Sequence, residues 1–346
     1  MTVKSRMIGA VLLSSALLLS ACGGDSDEGS DSSSEGGVVS QVRLAIDGDD
    51  YMNQLAWMVA DESYWPDLGF TEEAEVVASD EYLAGLFGGD VWIAQGESDV
   101  IWAALAEGSV PMKIIGVEKG EEAWFLGVAK GVDPNNLEGL KVSGGAAGDR
   151  NITVAEKMLE ELDVDPESME WVSVEGGSDD RLAALLAGQL DVAALQPRHL
   201  LPLEAEGGQM IFQEYKEAPQ EVWVVSEETL ENEKESVCAY LEGRIAAKQW
   251  ISEGDDYTDN QDAAIEIASE RGLEPAEGDL EEWVIEMEHN WALDGGSSEE
   301  AFDTWNQDMI DNGNVPEGFD WRDHADFTCL NEVQEKLGLE LNPDMS

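Results

Sequence analysis

The chain has 346 residues, with 18 Lys and Arg against 76 Asp and Glu, a formal net charge of −58. A polymer this acidic repels phosphate backbones and anionic membrane surfaces, which excludes nucleic acid as a partner. The acids are spread along the whole sequence, which suits a surface made for high salt or that of an acidic secreted protein. At the N-terminus, Lys4 and Arg6 precede an apolar run, Ile8–Leu19, that is too short for a comfortable membrane span. Small residues then lead to a lone Cys22. We read 1–21 as a lipoprotein signal peptide and Cys22 as the lipidated residue; an ordinary signal peptide with an incidental cysteine is the plainer alternative. Residues 22–40 form an acidic Gly/Ser linker that buries nothing. Roughly 300 residues follow, enough for two lobes.

From Gln41 onward strand-like and helix-like segments alternate. Val42–Ile46 reads as a strand, Asn53–Ser63 as a helix, Glu75–Ala78 as a strand, and Ser79-Asp80 as the cap of a helix running to Phe87. Val91–Gln95, the helix Glu97–Glu107 and the strand Met112–Gly116 complete the first set. The second half repeats the order. Gly139–Val142 is a strand, Gly144–Asn151 a turn, Ile152–Leu162 a helix and Trp171–Val174 a strand. Arg181–Ala187 is a helix, Leu190–Leu195 a strand, Pro197–Ala205 a helix and Met210–Phe212 a strand. This alternation is that of a mainly parallel sheet with helices on both faces. Glu122–Ala129 and Glu221–Ser226 read as extended crossings between two such lobes, and helical spacing fills the remainder to the C-terminus.

The two sets carry an internal echo. LAGLFGGDVWIAQGE at 83–97 and LAALLAGQLDVAALQ at 182–196 superpose after a shift of 99 positions, and Leu83–Gly108 lies over Leu182–Gly207 without a gap. Two copies make no solenoid; they mark the same helix–Gly–strand–helix unit in each of two similar lobes.

Three segments carry a family resemblance. NLEGLKVSGGAAG (136–148), DDRLAALLAGQLDVAAL (179–195) and EVWVVSEETLENEKESVCAYL (221–241) resemble the solute-binding proteins of ABC importers for nitrate, sulfonates, taurine and thiamine precursors, over about residues 41–255. The first copy of the echo departs from that family's pattern, with Trp92 where an Asp would stand. The resemblance implies a two-lobed, periplasmic-binding-protein-like α/β fold with a helical C-terminal extension. Lobe I would comprise 41–125 with 222–346, and lobe II 126–221. It further implies a monomer held on the extracytoplasmic face of the cell membrane by a lipid anchor. Its partners would be an ABC permease and its ATPase, and its cargo a small-molecule ligand: a sulfonate, a nitrate-like anion or a pyrimidine. An extracytoplasmic enzyme on the same scaffold, or a ligand-sensing partner of a membrane receptor, are the other functions such a chain could have.

In open α/β sheets ligands bind beyond the carboxyl ends of the strands. The candidates are therefore turn residues: Asp49 and Tyr51 after the first strand, Ser79, Gln95, Gly145, Ala146, Asn151 and Gln196. The Gly-rich turn 144–151 offers backbone N–H groups at a helix N-terminus, either to an anion or simply as a capped turn. Ser178 and Arg198 fall near the same place, and Trp102 and Trp223 are the tryptophans expected near the cleft. Cys238 and Cys329 are an even pair for an oxidising compartment, as a disulfide or as two thiols. His199, His289 and His324 are scattered, and no HExxH, GxSxG, Cys–His or EF-hand pattern is present. No catalytic residue, metal or cofactor is expected.

Overall fold

One eight-stranded mixed sheet organises the computed structural model, which describes residues 37–47, 51–78, 82–108, 111–146, 150–275 and 279–340. Its strands are β1 (Arg43–Ile46), β2 (Glu75–Ala78), β3 (Ile93–Glu97), β4 (Met112–Val128), β5 (Lys141–Ser143), β6 (Glu170–Trp171), β7 (Val192–Leu195) and β8 (Gln209–Ser226). Their order across the sheet is β2-β1-β3-β8-β4-β7-β5-β6. Each outer third is parallel: β1 pairs with β2 and β3, and β5 with β6 and β7. Leu44, Ala45 and Ile46 of β1 and all four residues of β7 are buried, as expected of parallel strands covered on both faces.

The centre differs from the sequence expectation. The short strand at 112–116 and the crossing at 122–129 are one 17-residue strand, β4, and the segments at 210–212 and 221–226 are one 18-residue strand, β8. The two run antiparallel to each other along their length, with register shifts around Gly116 to Glu121. The polar stretch Lys119–Glu122 looks like a break in sequence. In the structure Lys119 pairs with Glu221 of β8 at 2.9 Å, so its charge is satisfied inside the ladder.

The helices are α1 (Tyr51–Ser63), α2 (Tyr82–Gly88), α3 (Ser98–Glu107), α4 (Arg150–Glu161), α5 (Ser178–Leu186) and α6 (Leu200–Ala205). The C-terminal part adds α7 (Glu227–Asn232), α8 (Lys234–Ile251), α9 (Gln261–Glu270), α10 (Asp279–Ile285), α11 (Glu299–Asp311) and α12 (Thr328–Leu337). Ser226 caps α7 by accepting the Thr229 N–H, and Ser298 caps α11 by accepting that of Ala301. Cys238 of α8 and Cys329 of α12 are joined by a disulfide, Cα–Cα 4.8 Å.

The echo is visible in three dimensions. Gly89 and Gly188 both take left-handed φ, 76° and 72°, and so do Gly108 and Gly207, 63° and 87°. Asp90 N–H donates to Gly85 O as Gln189 N–H donates to Ala184 O, at 3.0 and 2.9 Å. A β-carbon strains this backbone, which explains why glycine recurs at the fixed offset.

Buried apolar side chains gather around the two ends of β4 and β8. One core draws on Val42–Val117 and Ala218–Val333, and includes Trp102 and Trp223. Two smaller ones draw on 124–203, one on each face of the sheet's other end.

Candidate functional site

A cavity of about 550 Å³ lies between these two ends, where β1, β3 and β7 stop. From the first come Asp47 just past β1, Asn53 on α1, Glu97 at the tip of β3, Asp99 on α3, and Trp305 and Asn314 in and after α11. From the second come Asn151 on α4, Gly176, Gly177, Ser178 and Arg181 at the start of α5, and Gln196 and Arg198 just past β7. The floor is the crossing itself: Lys119, Glu122 and Trp124 of β4 with Gln220 and Glu221 of β8.

Asn151 and Gln196, two of the sequence-predicted residues, line this cavity, as do Ser178 and Arg198. Gly145 and Ala146 lie in the turn after β5 and are not in the lining. Gly144 keeps that turn tight: a β-carbon on it would come within 2.6 Å of Ile152 Cα. Gln95 is fully buried one layer below, and Tyr51 is buried at the start of α1. Trp102 and Trp223 are fully buried in the core rather than in the lining. Asp49, Ser79 and Cys22 lie outside the described residues.

Beneath the floor runs a buried polar layer. Gln95 Nε2 donates to Glu221 Oε2 at 3.3 Å, and its Oε1 accepts from Arg244 Nη2 at 3.0 Å. Arg244 also reaches Glu118 Oε2 at 2.8 Å, and Lys248 of the same helix, α8, lies 3.3 Å from that oxygen. All three charged side chains are 0% exposed. Burial opposes the charge on Glu118, but Arg244 and Lys248 outweigh it and hold the carboxyl below its ordinary value. The layer fixes the orientation of Glu221, and through it Lys119, at the cavity floor.

The second wall is also held. Ser178 Oγ donates to Gln196 Oε1 and accepts from Arg198, both at 3.1 Å, and Arg198 pairs with Asp179 at 3.2 Å. His199, 2% exposed, accepts the Gln196 N–H at Nδ1, so its Nε2 carries the hydrogen and donates to Asp179 at 3.1 Å. Burial first, then Arg198, pushes this imidazole down to about 4, which keeps it neutral. Arg181 donates Nε–H to Ala194 O at 2.9 Å and stacks over Trp124 at 5.7 Å.

Glu97 was not among the sequence-predicted residues, although the signal was present: the 99-residue shift that aligns the echo puts it over Gln196. Both stand at a strand tip and face the cavity. Gly96 lets the tip turn here, because a β-carbon would strike the ring of Tyr82, whose hydroxyl donates to Glu97 O at 3.3 Å. The Glu97 side chain opens into the cavity. Restricted solvent, then Asp99, Asp47 and Glu221, push its carboxyl up to about 8, against the pull of Lys119.

Two contacts link α4 to α11 and the residue after it. Lys157 of α4 approaches Asp308 of α11 at 3.4 Å, and Thr153 Oγ1 lies 3.4 Å from Asn312 Oδ1. Among the described residues no group of three or more His, Cys, Asp or Glu is arranged to hold a metal ion. No helix among them is long and apolar enough to cross a membrane.

No protein-family model and no curated protein matches the sequence. Solved structures do match the fold. The periplasmic aliphatic sulphonate binding protein SsuA from Escherichia coli is 16% identical, with 83% of this chain and 92% of that one aligned at a TM-score of 0.58. The ligand-binding component of an ABC-type import system from Staphylococcus aureus, with zinc bound, is 12% identical over 85% and 99% of the chains at 0.61. The desulfurization enzyme DszB is 14% identical over 86% and 100% at 0.58. At these identities the likeness is one of architecture, and with the mixed eight-stranded sheet it establishes that this chain has the periplasmic-binding-protein-like fold.

Proposed function

We propose that the chain is the extracytoplasmic solute receptor of an ABC importer. It captures a small organic molecule between lobe I (41–125 and 222–346) and lobe II (126–221) and passes it to a membrane permease driven by an ATPase. The observation that carries this is the cleft of about 550 Å³ at the strand tips, lined from both ends of the sheet by amides, charged groups and tryptophan. That is the size and position of a ligand site in an open α/β sheet. Solute-binding components of importers are among the proteins of this fold, which supports the reading. The two central strands are the only β-structure joining the two ends among the described residues, and they suit a hinge. Cys22 would carry the lipid, and the 22–40 linker would hold the receptor, a monomer, near its permease.

An enzyme is the second reading, because DszB shares the fold. Among the described residues the cavity lining offers carboxylates, amides, a serine hydroxyl and three basic groups, and neither cysteine nor histidine. The test is native mass spectrometry of the full chain purified from its own cells, followed by release of any bound molecule. A receptor yields a solute that rebinds unchanged and raises the melting temperature in proportion to ln(1 + [L]/Kd). Chemical conversion of that solute on incubation would establish the enzyme instead.

A further inference from the structure

The cleft lining divides into groups whose hydrogen bonds the protein has already used and groups it has left over. Lys119 sits 2.9 Å from Glu221, whose other oxygen accepts from Gln95. Asp47, Asp99, Glu122 and Arg181 are also engaged within the protein. A guest gains little from such groups, because each new bond replaces one already made.

Glu97 is different. Its backbone O accepts from Tyr82, but among the described residues nothing donates to its carboxyl. Its charged neighbours are three other carboxylates, Asp99, Asp47 and Glu221, and Lys119, which Glu221 already holds. Hydrogen for this carboxyl must come from cleft water or from a guest. A guest that fills the cleft expels the water. If it brings no donor of its own, the carboxylate bears its desolvation cost with nothing in return.

Gln196, the counterpart of Glu97 in the echo, has the opposite surplus. Its Oε1 accepts from Ser178 Oγ at 3.1 Å, which leaves the Nε2 hydrogens over. Arg198 beside it spends Nη2 on Ser178 and Asp179 and keeps Nε and Nη1. One strand tip therefore needs hydrogens and the other offers them. Both tips face the same cavity. In the sheet β8 and β4 lie between β3 and β7, so the tips stand three strand spacings apart, about 14 Å between backbones. With a side chain reaching in from each tip, one small solute spans the gap.

We infer that Glu97 and Gln196 are the specificity-determining pair of the cleft. The guest is a small polar solute with a hydrogen-donating group (hydroxyl, amide N–H or ammonium) against Glu97 and an acceptor oxygen against Gln196. The pair selects for the donor and the acceptor, not for the net charge of the solute. This deepens the receptor reading above and rests on it, and the experiment separates the two.

The full chain is screened by thermal shift with matched pairs that differ in the donor alone: isethionate and ethanesulfonate, β-alanine and propionate, uracil and 1,3-dimethyluracil. The screen runs at one salt concentration and at pH 9, where the Glu97 carboxyl, pushed up to about 8, is ionised and only accepts. Hits are followed by calorimetry on the wild type, Glu97→Leu, Glu97→Gln, Gln196→Leu and, as a control on an exposed helix position, Glu161→Gln. In any pair that binds, the donor-bearing member should bind about tenfold or more tighter, as a hydrogen bond to a charged group implies. Glu97→Leu should abolish that preference, and Glu97→Gln, whose amide oxygen still accepts, should keep part of it. Gln196→Leu should weaken both members of a pair alike, since both carry the acceptor, and Glu161→Gln should change nothing. Equal binding of the two members overturns the inference and leaves the receptor reading standing. So does a preference that survives Glu97→Leu. If no pair binds, the receptor reading falls and the inference with it.

Discussion

Glu97 shows how a single side chain records the environment of the site. Its carboxyl is pushed up to about 8 from an ordinary 4.5, by restricted solvent and then Asp99, Asp47 and Glu221, against the pull of Lys119. The folded state therefore holds a proton that the unfolded chain releases between these two values, and stability falls as pH rises across that window. Replacing Glu97 with Gln removes the titration. We expect Glu97→Gln to match the wild type in melting temperature near pH 4.5, to exceed it increasingly up to about pH 8, and to keep a constant lead above that. A lead that does not change with pH would show that the neighbours do not act on this carboxyl. The sequence made only part of this site legible. Asn151 and Gln196 could be found because a strand or turn visibly ends there. Asp47 and Asp99 could not, because acids are so common in this chain that none stands out until the fold brings them together. Gln95 looked like a tip residue but lies below the surface, since β3 runs two residues further, to Glu97.

At the level of elements, α8 is tied to the rest of the molecule by two devices of different kinds. The first is the buried set Glu118 of β4 with Arg244 and Lys248, all fully enclosed. Lys248 also donates to Ala292 O at 3.2 Å and lies over the rings of Trp223 and Trp291. Removing only the anion leaves two cations in a site that water does not reach. Glu118→Gln should cost about 3–5 kcal/mol in urea unfolding at constant salt. Replacing Glu118, Arg244 and Lys248 together by Met should recover most of that loss, because the desolvation cost disappears along with the attraction. If the triple variant is as unstable as the single one, the set contributes through its hydrogen bonds rather than its charges. The second device is the Cys238–Cys329 disulfide, which ties α8 to α12 across 91 positions of sequence. A double Cys→Ser variant should lose about 2–5 kcal/mol, and reduction of the wild type should lower the urea midpoint comparably. The parallel outer strands and their helices were legible from alternation alone, since each is short and bounded by Gly or a cap. The long central strands were not. Lys119, Glu121 and Glu122 interrupt the apolar pattern of β4, and only the partner strand, which supplies Glu221, shows that the chain continues straight through them.

Across the whole molecule, the charge balance makes self-repulsion the electrostatic effect to weigh first. With 76 acids and 18 bases, most charge pairs on the surface are alike. Such pairs destabilise the compact state more than the extended one, because folding brings them closer. Added salt shortens the screening length from about 10 Å at 0.1 M to about 3 Å at 1 M, so it relieves repulsion between neighbours that are not in contact. It also weakens exposed ion pairs such as Lys234–Glu332 and Lys336–Glu242, but each of these contributes only about 0–1 kcal/mol and they are few beside the like-charge pairs. The sign is therefore settled by numbers: the melting temperature should rise as KCl goes from 0.1 to 2 M. Most of the rise should come below about 1 M, where the screening length changes most. Sucrose separates screening from general strengthening of apolar burial, because it favours compactness without screening charge. A rise in KCl that sucrose reproduces in full would mean that burial, not repulsion, sets the response. A flat or falling curve would mean that the opposite-charge contacts outweigh the surplus of acids. The same screening reaches Lys157–Asp308, which joins α4 to α11 at 3.4 Å. Salt should thus stabilise the fold while loosening that contact, and a cross-cleft distance probe on α4 and α11 should report a wider average separation at 2 M than at 0.1 M even as the melting temperature climbs.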